Sequence, residues 1–319
     1  MDYGKILARS WQITWRWKFL WVLGLLAGAA GFQASFSYRF RGEELERLVE
    51  RLEPSRPAVA AWVIVALAVA VVLMLGLWAF SCIGRGGLIA GIRQIEEEGT
   101  TTLQQSWRAG VQRFWTVLGL DLLASLVSFL PMAVACLCLW ALVLRGLLLS
   151  GPTIRLREGW SALGLGLLCA APAVCLLVLL MIAVGLIHTW ALQASIQEGM
   201  GALRAFARGW DVLRSKLGPS LLLWLLLIVI GWIVGLAIGL TALLFLAPGM
   251  TFLGVQGAKP VTIVLLVVGA LLTVPTALWI GSVTTTFTYS AWTLAYRQLA
   301  GLEKQEATVP GEDVPPAVA

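Results

Sequence analysis

Asp121 and His188 are the side chains of this sequence best suited to hold or pass a proton in an apolar setting. Asp121 is the only acid inside an apolar run, and His188 is the only histidine. Asp121 lies seven residues past Phe114, about 10 Å along a helix axis. His188 lies near the end of the fourth apolar run. The sixth run ends in "GSVTTTFTYSAW", where Thr284 and Thr288 share one helix face and Thr285 and Tyr289 the next. Asp121, His188, Thr284 and Thr288 are expected to line one inner polar cavity. An ionisable group within a membrane is by default a functional hypothesis. The plainer alternative is structural: Asp121 bonded to a hydroxyl, and each threonine bonded to its own helix backbone. Both readings stand at this point.

Other chemistry finds no constellation. There is no Ser–His–Asp set, phosphate-binding loop, paired carboxylates or dinucleotide fingerprint, and "GRGGLIAG" at Gly84 has no preceding strand. The five cysteines, Cys82, Cys136, Cys138, Cys169 and Cys175, all fall in apolar runs and are expected to be inert buried thiols. No zinc spacing or disulfide framework is present, so neither metal nor cofactor is expected.

The elements that must position these residues follow from composition. Only 13% of the 319 residues are charged and 59% are hydrophobic. That is too little charge for a soluble surface, which carries about 25%. Runs of 18 or more apolar residues are read as membrane spans. Six are expected: roughly 19–38, 59–83, 114–144, 163–190, 219–247 and 261–285. The fold class is an all-α integral membrane protein. The formal charge of +6 points to basic cytoplasmic loops and anionic headgroups, not to nucleic acid. With the N-terminus inside, 14 Lys and Arg fall on the inner side and 9 on the outer. Both termini are therefore expected in the cytoplasm, in a bacterial inner membrane. Residues 39–57, with Leu45, Leu48, Val49 and Leu52 on one face, read as an extracytoplasmic amphipathic loop. Residues 302–319 read as a disordered cytoplasmic tail.

Gly24 and Gly28 stand one helical turn apart, as do Gly231, Gly235 and Gly239. Small residues at this step let helix backbones approach closely, within one chain or between chains. Both sets are expected to be packing faces.

A repeated motif precedes the odd-numbered spans. The stretches "LARSWQITWRWKFLWVLGL" from Leu7, "LQQSWRAGVQRFWTVLGL" from Leu103 and "FARGWDVLRSKLGPSLLL" from Phe206 each place Ser or Gly before a tryptophan. Those are Trp11, Trp107 and Trp210; six or seven residues later come Lys18, Arg113 and Lys216. Tryptophan suits the headgroup layer and a cation snorkels toward phosphate. Each stretch is expected to be an interfacial amphipathic helix anchored by that pair. The even-numbered spans also exit alike, in "AGIRQIEEEG", "ASIQEG" and "LAYRQLAG". The chain therefore reads as three repeats of interfacial helix plus helical hairpin, at about 1–99, 100–199 and 200–301. Together they form one membrane domain over 1–301.

These three copies of Ser/Gly–Trp with a following cation resemble the bacterial six-span proteins related to the membrane domain of glycerophosphoryl diester phosphodiesterases. The resemblance runs from Met1 to about Gly301 and implies a six-span fold. The metal and acid–base residues of the soluble barrel found in some relatives do not occur in this sequence, so the resemblance lends no enzymatic activity. The expected function is that of a non-enzymatic scaffold or accessory factor contacting anionic lipid or another membrane protein, with a homo-oligomer as a further candidate. The alternative is a small transporter or lipid-handling permease using Asp121 and His188.

Overall fold

Long runs of Leu, Val and Ala leave a backbone in hydrocarbon no partner but itself, and a helix satisfies every peptide group locally. A computed structural model of the chain describes residues 2–35, 57–150, 156–257 and 259–301, and its regular elements are all helices. Six are apolar: α2 (Leu20–Ser35), α3 (Pro57–Glu98), α5 (Phe114–Ser150), α6 (Leu156–Gln197), α8 (Leu217–Gln256) and α9 (Pro260–Ala300). Three are short and two-faced: α1 (Tyr3–Arg16), α4 (Leu103–Gln112) and α7 (Ala202–Ser215).

Local chemistry sets the ends. Asp2 accepts from the Lys5 amide to start α1. Thr102 and Gln105 form a capping box at α4, which satisfies two otherwise orphaned backbone donors. Gly99, Gly199 and Gly301, the glycines of the three like exits, each sit at φ of 73° just past a helix end. Only glycine adopts this left-handed cap without strain.

Five helices are long and apolar enough to cross a membrane, beginning at Trp62, Phe114, Val174, Leu217 and Pro260 among the described residues. The expected first span is represented by α2, of which the 16 residues to Ser35 are described; the rest of that expected span lies outside the described residues. The expected amphipathic loop falls, apart from Pro57, outside the described residues, as does the tail after Gly301. The second expected span ends near Ile83, but α3 runs unbroken to Glu98. The inner-side segment expected after Ile83 is therefore a continuation of this helix, and two of its glycines, Gly84 and Gly87, pack closely against neighbouring elements. A Cβ on Gly84 would lie 2.7 Å from the Ala27 nitrogen, and one on Gly87 would lie 2.8 Å from the Ser106 oxygen.

The chain packs as two units, Met1–Trp115 with Leu221–Ala319, and Thr116–Ser220. In the first, α2, α3 and α9 pack on one another, α4 packs on α3, and α1 packs on α9. This unit has two levels. From Trp62 to Phe80 on α3, and from Val261 to Trp279 on α9, most apolar side chains are bare. Each stretch is 19 residues, about 28 Å, close to the ~30 Å hydrocarbon thickness of a bilayer. Beyond them the same helices enter a packed base, with Cys82, Leu88, Ile89 and Ile92 of α3 and Ala291 and Tyr296 of α9 buried. Charge closes the base: Arg9 bonds Glu96 at 2.9 Å, and Glu97 accepts from Arg93 at 2.8 Å and Arg297 at 3.1 Å.

In the second unit, α7 packs on the C-terminal part of α6, where Trp190, Ala191 and Leu192 are buried. Of the cysteines, Cys82 is buried as expected, but Cys136 and Cys175 are exposed. Both sit on bare apolar stretches of α5 and α6, where no neighbouring helix among the described residues covers them.

The glycine expectations divide. A Cβ on Gly24 would meet the Thr286 hydroxyl at 2.3 Å and the Ser282 carbonyl at 2.6 Å, and one on Gly28 would meet the Thr285 hydroxyl at 3.2 Å. These two are close-packing positions. At Gly231, Gly235 and Gly239 an added Cβ would meet nothing within 4 Å among the described residues. Among the described residues, then, no neighbour packs on the second set.

Candidate functional site

The Ser/Gly–Trp motif acquires a geometric meaning. The small residue is the contact and the tryptophan beside it turns outward. Ser10 and Ser106 are fully buried and Gly209 is buried. Trp11 and Trp210 are about half exposed, at 54% and 50%, and Trp107 is half-buried. Gly110 rests on the α3 backbone, where a Cβ would meet the Ile83 oxygen at 2.4 Å. Gly209 rests on α6, where a Cβ would meet the Ile187 oxygen at 2.6 Å. The expected cations stand at the joints into the long helices: Arg113 and Lys216 are the C-caps of α4 and α7, and Lys18 lies just beyond the α1 cap. Lys18 and Lys216 are exposed and Arg113 is half-buried. A cation there complements the negative helix end. The tryptophans of α1 continue as an edge-to-face series through Trp15, Trp21 and Trp279, with centroids 5.5–5.9 Å apart. The Trp21 Nε1–H donates to the Thr14 carbonyl at 2.9 Å.

Two polar clusters remain. The first joins Asp121 and His188 in the second unit. Val117 and Leu120 of α5 and Val184 and Ile187 of α6 are buried. Between these two helices the Asp121 Oδ1 lies 2.9 Å from the His188 Nε2. Asp121 is 9% exposed and the His188 side chain 22%. The bond can hold a proton on either side, and apolar walls make that proton costly to leave unpaired.

The second cluster lies in the first unit. Ala27, Gly28, Arg85, Thr284, Thr285, Thr288 and Tyr289 line a cavity of about 330 Å³. Thr284 and Thr288 thus belong with Arg85, in a different unit from Asp121 and His188. Thr284 donates to the Ile280 carbonyl at 2.8 Å, the local bond expected of a helical threonine. Thr285 and Thr288 are half-buried, and neither hydroxyl makes a hydrogen bond among the described residues. Arg85 is only 9% exposed, with its Nε 3.4 Å from the Ser81 carbonyl and an Nη 3.6 Å from the Cys82 sulfur.

Sequence reasoning missed Arg85 by counting it with the inner-side cations beyond the second span. The signal was present: after Ile83 the chain stays apolar or small up to Arg93, apart from this one charge. Among the described residues no group of three His, Cys, Asp or Glu could hold a metal ion.

Comparison with protein families matches residues 18–299 to a domain of unknown function, DUF7847. The chain belongs to this family. The match spans all six apolar helices, and also α4 and α7, but excludes α1. It offers no link to the glycerophosphoryl diester phosphodiesterase membrane domain. No curated protein and no solved structure matches the chain.

Proposed function

We propose that this DUF7847 chain is a non-enzymatic accessory protein of a bacterial inner membrane that grips anionic headgroups along its cytoplasmic edge. The observation that carries the reading is the docking of α1, α4 and α7. Each buries small residues on a long helix and turns a tryptophan and cations outward. On this reading the three helices lie at the inner headgroup layer, both termini are cytoplasmic, and α2 completes a set of six spans. The packing of α4 on α3, α7 on α6 and α1 on α9 supports three related units. The Ser/Gly–Trp spacing supports the kinship to the phosphodiesterase membrane domains drawn above.

The lipid reading is tested by reconstituting the protein with spin-labelled phosphatidylglycerol or phosphatidylcholine. Wild type should restrict phosphatidylglycerol preferentially, and added salt should weaken the preference, since exposed charges are screened. Replacing Arg16, Lys18, Arg214 and Lys216 with glutamine should abolish most of it. Equal restriction of the two lipids by wild type would end this reading. Topology has its own test. Cysteines placed at Ser37 and Ser55 should label from the periplasmic side; labelling from the cytoplasmic side alone would reverse the orientation.

The 2.9 Å contact between Asp121 and His188 favours a second reading, a small proton-linked permease. Ionisable pairs inside spans commonly serve as proton relays. A pH-linked flux in vesicles, lost in Asp121→Asn, would establish it over the accessory role.

A further inference from the structure

The cavity around Arg85 sits at a defined level of the first unit. On α3 the bare apolar stretch ends at Phe80 and the buried base begins at Ser81. Arg85 comes one turn later. On α9 the bare stretch ends at Trp279, and Thr284 to Tyr289 follow within the next three turns. Each bare stretch matches the hydrocarbon thickness, so on the membrane placement proposed above the cavity opens where hydrocarbon gives way to headgroups. Arg93, in the charged closing layer, is eight residues further along, about 12 Å.

A guanidinium is costly to bury, and such residues at membrane depth mark sites where an anion or a polar group is handled. Its planar fork of donors matches the oxygens of a phosphate. The Thr285 and Thr288 hydroxyls line the same cavity and, among the described residues, have no hydrogen bond to break before donating to an anion. Gly28 matters on the opposite wall. A Cβ there would press to 3.2 Å from the Thr285 oxygen and narrow the space in front of it.

We propose that this cavity is an oxyanion site that takes a phosphate group, held by Arg85 and the hydroxyls of Thr285 and Thr288. Tyr289 and Thr284 line the rest of the site. The phosphate comes from a phospholipid headgroup or from a soluble phosphate, and the level of the cavity favours the headgroup. The site deepens the headgroup reading above, yet differs from the tryptophan–cation edge in being one saturable site and not a diffuse attraction.

The test uses the full chain in phosphatidylcholine nanodiscs. Two probes are titrated: phosphatidic acid, whose phosphate is a terminal monoester, and inorganic phosphate. Retained lipid is read by native mass spectrometry and phosphate binding by calorimetry. Wild type should bind one phosphatidic acid per chain. Thr285→Val with Thr288→Val, which preserves side-chain shape, should weaken it roughly tenfold or more, as loss of hydrogen bonds to a charged group does. Arg85→Lys should weaken it as well, because it keeps the charge but loses the fork. The threonine pair decides the matter if an Arg85 variant does not fold.

Competition by inorganic phosphate would assign the site to a soluble anion; its absence would assign it to lipid. No saturable binding of either probe, or binding unchanged in the threonine double variant, would overturn the proposal. The two headgroup readings fail separately. Glutamine variants of Arg16, Lys18, Arg214 and Lys216 should leave the one-to-one site intact. If wild type shows no preference for bulk anionic lipid yet retains that site, only the edge reading falls.

Discussion

Gly110→Ala and Gly209→Ala should each destabilise the protein by about 1–3 kcal/mol, the usual range for overpacking a close contact. The added methyl group has nowhere to go. At Gly110 it would lie 2.4 Å from the Ile83 oxygen and 2.8 Å from the Gly87 nitrogen. At Gly209 it would lie 2.6 Å from the Ile187 oxygen and 2.8 Å from the Ala191 nitrogen. All four neighbours are backbone atoms, so no side-chain rotation relieves them. Alanine's better helix propensity, about 1 kcal/mol, opposes the clash but does not remove it. The helix must move away, and hydrogen exchange should rise across Leu103–Gln112 or Ala202–Ser215 in the respective variant. The internal control is Gly235→Ala. Nothing among the described residues lies within 4 Å of its added methyl group, so its stability should match or slightly exceed wild type. Thermal denaturation in detergent reads all three. Equal losses at Gly110 and Gly235 would show that the close approach of α4 to α3 does not govern stability.

The second large effect concerns the buried pair of the second unit. Asp121→Leu removes the oxygen that faces the His188 Nε2 at 2.9 Å. Leaving a buried polar group without its partner costs about 1–3 kcal/mol. Asp121→Asn keeps an acceptor oxygen and should stay close to wild type in stability. Combining Asp121→Leu with His188→Leu should be less damaging than the sum of the single changes, because neither variant side chain then strands a polar partner. Strict additivity would mean that the contact contributes nothing to stability. The same Asn variant separates structure from transport. It preserves the hydrogen bond but cannot exchange a proton, so a fold that survives with pH-linked flux abolished would assign the pair to proton movement.

Much of the architecture was legible because a bilayer is a demanding solvent. The apolar runs predicted the long helices, since hydrocarbon leaves a backbone few other choices. The motif spacing located α1, α4 and α7, and the exit glycines marked three helix ends. Asp121 and His188 were expected in one polar cavity with Thr284 and Thr288; the structure puts the first two in contact and the threonines beside Arg85.

Other features were not legible. The second span was expected to end near Ile83, and the glycine steps of α2 and α8 were both read as packing faces. In the structure the glycines after Ile83 are helical and covered, and among the described residues only the steps on α2 meet a neighbour. Whether a glycine is a breaker or a close contact depends on the surface brought against it, and that surface lies far along the chain: Ser106 against Gly87, Ser282 against Gly24. Arg85 illustrates the same point. It was counted only as an inner-side cation, whereas the packing of α2, α3 and α9 buries it beside threonines some 200 residues away in sequence.

By itself, then, the sequence determined the helical class, the long apolar helices suited to cross a membrane and the places where short amphipathic helices feed into them. These follow from composition and period, which act through each segment's own transfer energy and hydrogen bonding. The tertiary structure alone decided which small residues are contacts, that Thr284 and Thr288 share a cavity with Arg85, and that this cation is buried. Those outcomes depend on which helix faces which, and local periodicity carries no information about that choice.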